Sequence, residues 1–161
     1  MTIKAGDKIP ESVLTVMSAE GPKPVTTPEW FGGRRVVLFS VPGAFTPTCS
    51  AKHLPGFVEQ AAAIKAKGVD AIGCVAVNDV FVMNAWGKAS GSPDIDMLAD
   101  GNGGFARALG LELDAKAYGM GTRGQRFALV ANDGVVEKVF VEAPGEFRVS
   151  SAEHVLGALK G

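Results

Sequence analysis

The sequence predicts an α/β fold, a central mixed β-sheet with helices on both faces, and three of its features carry that prediction. The runs Arg35-Val36-Val37-Leu38-Phe39-Ser40-Val41 and Asp70-Ala71-Ile72-Gly73-Cys74-Val75-Ala76-Val77 are apolar and β-branched without alternation, as strands covered on both faces are. Between them Leu54, Phe57, Val58, Ala61 and Ile64 recur at helical spacing. Further on, two apolar runs flank Asn132-Asp133-Gly134, the composition of a tight hairpin turn.

Taken in order, the helical stripe ends at Lys65-Ala66-Lys67-Gly68, a basic last turn followed by a glycine stop. That makes a strand-helix-strand unit, which calls for a right-handed crossover if the strands are parallel. Pro55-Gly56 predicts a kink or interruption near the start of the helix, because proline lacks the N–H and crowds the carbonyl four residues back. Asn78-Asp79 offers a cap for a second helix over 80–86, and Gly91-Ser92-Pro93 should end it. Met97-Leu98-Ala99 reads as a short strand and 105–109 as a short helix. The hairpin then pairs 126–131 with 135–141, and Ser150-Ser151-Ala152-Glu153 fits a capping box opening a terminal helix through Leu159. This is the element order of a thioredoxin-like fold. A chain of 161 residues, 47% of them hydrophobic, suits one domain spanning 1–161.

Charge and cysteine usage narrow the function. Formal net charge is -1, and the Lys and Arg residues are dispersed, so the electrostatic footprint of a nucleic-acid partner is missing. Neither the N-terminal residues nor any later run has the apolar length of a signal or a membrane span. Only two cysteines occur, Cys49 and Cys74, too few for a disulfide scaffold and suited to a reducing, cytoplasmic setting.

The informative stretch is Pro42-Gly43-Ala44-Phe45-Thr46-Pro47-Thr48-Cys49-Ser50, which leaves the carboxyl end of a predicted central strand and enters the next helix. Sites in open α/β sheets tend to lie at that edge. A cysteine in a first helical turn sits among unpaired N–H groups at the positive end of the helix dipole, and both favour the thiolate. Pro47 fits there because the first helical positions need no intrahelical N–H. Read without its flanks, Cys49 is equally well a small residue packed at a helix start.

The flanks decide it. Pro42-x-x-x-Thr46-x-x-Cys49 resembles the active-site motif of peroxiredoxins, and with His53-Leu54-Pro55-Gly56 it is similar to the type II, or peroxiredoxin-5-like, subfamily. The resemblance continues through Val77-Asn78-Asp79, Trp86-Gly87, Gly119-Met120-Gly121, Arg126-Phe127-Ala128-Leu129-Val130 and Val149-Ser150-Ser151-Ala152-Glu153, nearly the whole chain. It implies a thiol peroxidase of hydrogen peroxide and alkyl hydroperoxides with no cofactor. In it Cys49 attacks the O–O bond, Thr46 bonds thiolate and peroxide through its hydroxyl, and Arg126 supplies charge-assisted donors to both. The resemblance further implies that backbone N–H groups of Thr48 and Cys49 hold the peroxide and that Pro42 shields the sulfenic acid.

Read by themselves, Thr46 is a helix cap and Arg126 an edge arginine or a structural ion pair. His53, four residues after Cys49, falls on the same side of a helix, where a structural or site-lining role suits it better than that of a base. Cys74, inside a predicted buried strand, reads as a small inert hydrophobe. Some relatives carry a resolving cysteine near the place of Val149-Ser150-Ser151; this chain has none there, so an external thiol, glutathione with glutaredoxin or thioredoxin, is expected to recycle Cys49. A homodimer is expected from the same resemblance.

Other signals are weaker. Gly119-Met120-Gly121-Thr122-Arg123-Gly124 matches G-x-G-x-x-G, but a predicted strand follows it where a nucleotide site needs a helix, so a mobile loop closing beside Arg126 fits better. The cysteines and histidines lack zinc spacing, so no metal is expected. Asp94 and Asp96 read as solvated loop charges, and Phe45, Phe81 and Trp86 as core. Two rival functions share Cys49: a disulfide reductase, which normally wants a second nearby cysteine, and a non-enzymatic peroxide sensor or holdase.

Overall fold

The structure, a computed structural model, describes residues 2–159. Two parallel pairings form its centre: β3 (Arg35–Ser40) lies beside β4 (Ala71–Ala76), and β4 beside β5 (Ile95–Ala99). The predicted hairpin, β8 (Phe127–Asn132) and β9 (Val135–Val141), joins antiparallel to β3. Its turn needs left-handed backbone at two successive residues, and Asp133 and Gly134 adopt φ of 49° and 77°. On the other edge β1 (Val13–Ser18) and β2 (Gly21–Thr26) complete a mixed sheet of order β2-β1-β5-β4-β3-β8-β9.

Both faces of the sheet are covered. Side chains alternate along each central strand, so Val37, Phe39, Ile72, Cys74, Ala128 and Val130 share one apolar cluster. Against it pack α2 (Leu54–Lys65), α3 (Val80–Ala89) and α5 (Ala152–Ala158). Val36, Leu38, Val75, Leu129 and Ala131 face the opposite cluster, under α1 (Thr27–Phe31) and α4 (Gly104–Leu109). The α/β, thioredoxin-like expectation therefore holds. The G-x-G-x-x-G segment folds as predicted without a following helix: β7 (Thr122–Gly124) pairs with β6 (Glu112–Asp114) in a separate two-stranded ribbon.

Four local readings change or sharpen. The N-terminal β1–β2 hairpin and α1 went unpredicted: β2 carries Pro22 and Pro24 and reads as a loop, yet an edge strand tolerates both. The interruption expected near Pro55 is present, as a register shift and not a break. A π-helical turn, Cys49–His53, precedes α2, and the Leu54 N–H reaches back to the Cys49 carbonyl, so the ladder changes register just where proline supplies no donor. The last helix is capped by Ser151, whose hydroxyl accepts from the His154 N–H at 3.1 Å, and no capping box forms at Ser150, whose hydroxyl goes to Glu142. Finally, Trp86 is core, but Phe45 and Phe81 are 54% and 64% exposed. Phe81 lies opposite the buried Val80–Met83–Trp86 stripe of α3, and Phe45 occupies a loop tip at φ 64°.

Candidate active site

The segment after β3 builds the site. Thr46 precedes the helix, and its carbonyl accepts the first backbone bond of the turn, from the Ser50 N–H at 2.9 Å. Among the described residues, the N–H groups of Thr48 and Cys49 donate to no protein acceptor. They are the orphan donors that a helix start leaves. Cys49 itself is fully buried, inside the cluster containing Phe39, Leu54 and Phe57. Two side chains pin the segment from α3 and its approach: Asn78 Oδ1 accepts from the Ala44 N–H at 2.9 Å, and the Trp86 Nε1–H donates to Ser50 Oγ at 2.9 Å.

Arg126 arrives from across the sheet. Ser40 pairs with Phe127, so the residue before Phe127 stands beside the point where the chain leaves β3 toward Cys49. Its guanidinium uses two arms. Nη2–H donates to Cys49 Sγ at 3.0 Å, and Nη1–H points at His53 Nδ1 at 2.8 Å. Among the described residues no carboxylate pairs with Arg126, so the ion-pair reading of it is set aside.

His53 is fully buried, and its partners assign its tautomer. Arginine can only donate, so Nδ1 accepts; the Ser150 carbonyl, 2.9 Å from Nε2, can only accept, so Nε2 carries the proton. Burial first, and the Arg126 charge second, push its pKa down to about 3. The imidazole is therefore neutral at neutral pH and serves as a strut for Arg126 rather than a base, a sharper role than site lining.

Thr46 differs in detail from what its resemblance implies. Its hydroxyl donates to the Gly43 carbonyl at 2.6 Å, so its proton is committed and its oxygen is left to act as an acceptor. The 119–124 segment is tied down beside this loop. The Arg123 Nη1–H donates to the Val77 carbonyl at 2.9 Å, and a Cβ at Gly43 would meet Met120 Cε and Thr46 Cγ2 at 3.1 Å. Pro42 and Thr48 flank the site, both half-buried. Cys74 points into the same cluster as Cys49, and burial holds its thiol pKa well above the ordinary range. The residue that sequence reasoning missed is Glu142, whose carboxylate gathers the backbone that carries Ser150; its partners are mostly main-chain N–H groups, which leave no pattern in a sequence.

The arrangement brings together a buried sulfur, a two-armed cation, free N–H donors and a hydroxyl acceptor. Comparison with known proteins points the same way. The family model described as Redoxin matches residues 4–156. Peroxiredoxin-2E-2, chloroplastic, from Oryza sativa subsp. japonica is 54% identical, over 98% of this chain and 73% of that protein. Peroxiredoxin-2B from Arabidopsis thaliana is 46% identical over 98% of each. The crystal structure of reduced Prx3 from Vibrio vulnificus in complex with hydrogen peroxide superposes with a TM-score of 0.96 at 50% identity, covering 99% of this chain and 100% of that one.

Proposed function

The chain belongs to the redoxin family and is a peroxiredoxin, a thiol-dependent peroxidase, and from that premise we propose that Cys49 is its attacking sulfur. The observation that carries this reading is the 3.0 Å contact from Arg126 Nη2 to Cys49 Sγ at the opening of a helix. The thiolate attacks one peroxide oxygen in line with the O–O bond. An S–O bond forms, the O–O bond breaks, and the second oxygen leaves with the electron pair, taking a proton to become water or an alcohol. Charge moves from sulfur to oxygen during the step, and donors fixed beforehand stabilise it where it arrives. Arg126 and the N–H groups of Thr48 and Cys49 supply those donors, and Thr46 Oγ1 accepts the hydrogen of the peroxide being attacked. Pro42 limits water at the resulting sulfenic acid.

Recycling falls to an outside thiol. One thiol condenses with the sulfenic acid, releasing water and leaving a mixed disulfide; a second thiol displaces Cys49 and departs as a disulfide. Glutathione with glutaredoxin, or thioredoxin, fills this role, because the chain has no cysteine near Val149-Ser150-Ser151 and burial shifts the Cys74 pKa upward, against its thiolate. The two free cysteines agree with a cytoplasmic setting. Exposed Phe45 and Phe81, beside the site loop and on α3, support a homodimer.

Brief exposure of the reduced protein to equimolar hydrogen peroxide, dimedone trapping and mass spectrometry test the assignment. An adduct confined to Cys49 is expected, and an unmodified Cys49 overturns it. Sustained turnover with a thiol reductant separates a peroxidase from a one-shot sensor, and a quantitative Cys49–Cys74 disulfide during turnover would refute external recycling.

A further inference from the structure

Glu142 is 6% exposed, and among the described residues no cation pairs with it. Burying a carboxylate is costly unless its oxygens are fully hydrogen-bonded. Here they are. Oε2 accepts from the N–H groups of Arg148 and Val149 at 2.8 Å, from the Ser150 N–H at 2.7 Å and from the Ser150 hydroxyl at 2.6 Å, and Oε1 accepts from the Arg148 N–H at 2.8 Å. A neutral amide with its oxygen at the Oε2 position would still turn its NH2 toward the Arg148 N–H and would lose the charge that strengthens the other bonds. The Glu142 backbone N–H also donates to the Arg126 carbonyl at 3.0 Å, so one residue holds both ends of the chain of contacts that reaches the sulfur.

We propose that Glu142 is a positioning residue for the peroxide step: its carboxylate fixes the 148–150 backbone, the Ser150 carbonyl fixes the His53 proton on Nε2, and His53 then holds Arg126 against Cys49. The direction of each bond links these contacts into one relay. If the Ser150 carbonyl drifts, the Nε2 proton loses its acceptor, the ring loses one of its two anchors, and only the Arg126 N–H still favours this tautomer. A proton on Nδ1 would confront the Arg126 Nη1–H, two donors face to face, and the guanidinium would swing off the sulfur. The inference rests on the peroxidase reading of Cys49 and adds a residue that touches neither substrate nor sulfur.

The test compares wild type with Glu142→Gln. Stopped-flow fluorescence, reporting through Trp86 beside Ser50, gives the second-order rate constant for hydrogen peroxide, and nitrogen NMR of histidine-labelled protein reads the His53 tautomer. A rate about ten- to a hundredfold lower, together with loss of the pure Nε2–H signature, is expected, since a misplacement near 1 Å can cost that much. A wild-type rate overturns the proposal. So does a reduced rate with an unchanged tautomer, which would assign Glu142 to folding alone. Should Glu142→Gln not fold, Ser150→Ala deletes one of the carboxylate's donors and should give a smaller loss of the same kind, with an unaltered rate and tautomer counting against the relay. Wild-type protein that fails to react with peroxide at all would instead remove the peroxidase premise.

Discussion

Replacing Cys49 by serine should abolish peroxide turnover while leaving the fold intact, because the exchange is close in volume and the position stays buried. Any turnover above background in a peroxide-consumption assay would exclude Cys49 as the nucleophile. Arg126 offers a finer test. Its planar fork places one N–H on sulfur and another on imidazole, which an ammonium on a flexible stem cannot reproduce. Arg126→Lys should therefore behave almost like Arg126→Ala, each slowing the peroxide step by about 10²–10³ in the manner of a lost oxyanion donor. A near-wild-type rate for the lysine variant in stopped-flow would mean that charge alone suffices. At this scale legibility followed sequence distance. The position of Cys49 at a strand-to-helix junction could be read from the local sequence, while the roles given to Cys49 and Thr46 came from the resemblance carried by their short shared motif. The contact between Arg126 and Cys49 spans 77 positions and was legible only through resemblance. The Thr46 proton on the Gly43 carbonyl, and the Glu142 ring, depend on where backbone groups point, which no side-chain pattern encodes.

Elements built from their own local code were legible, and those that depend on neighbours were not. β3, β4 and β8 announce themselves as apolar runs, Asp79 caps α3 through its bond from the Val82 N–H at 2.8 Å, and the Asn132-Asp133-Gly134 turn dictates the hairpin. β2 holds its place only because β1 pairs with it along Val13↔Thr26 to Ser18↔Gly21, a tertiary fact that overrides two prolines. The π-turn before α2 is a similar case, since proline signals a disturbance but not whether the ladder will break or shift register. Close packing between elements gives a prediction here. Gly73 lies on β4 under α1, and a Cβ there would meet Trp30 Cη2 and Cζ2 at 2.7 Å and Leu98 Cδ1 at 3.1 Å. The indole cannot simply move aside, because its Nε1–H donates to Asp96 at 3.0 Å. Gly73→Ala should thus cost about 1–3 kcal/mol, the usual range for an overpacked core. Urea unfolding should show a lowered midpoint with unchanged slope, and an unshifted midpoint would mean that the α1 contact is soft.

For the molecule as a whole, the site couples stability to pH. His53 is neutral in the fold with a pKa of about 3, whereas an unfolded histidine titrates near 6.5. Between those values the unfolded chain binds the proton and the native protein does not, so stability rises with pH. The His53 contribution is complete above about pH 6.5 and drains away as pH falls toward 3, by up to ~1.4 kcal/mol per unit. Glu142 acts in the same direction but lower down. Burial works to raise its pKa, yet the bonds from Ser150, Arg148 and Val149 outweigh it and bring the net value below the ordinary one. Its contribution is therefore present above the unfolded carboxylate range, near 4.3, and lost only as pH falls further. The separation of windows makes the two groups distinguishable. Urea unfolding between about pH 6.5 and 5 should show a stability slope approaching one proton, and His53→Gln should flatten it whatever that variant's absolute stability. A wild-type slope near zero there would mean that His53 protonates within the fold. In that case Arg126, facing a cation instead of an acceptor, would leave the sulfur, so peroxide reactivity would fall over the same interval in which stability held.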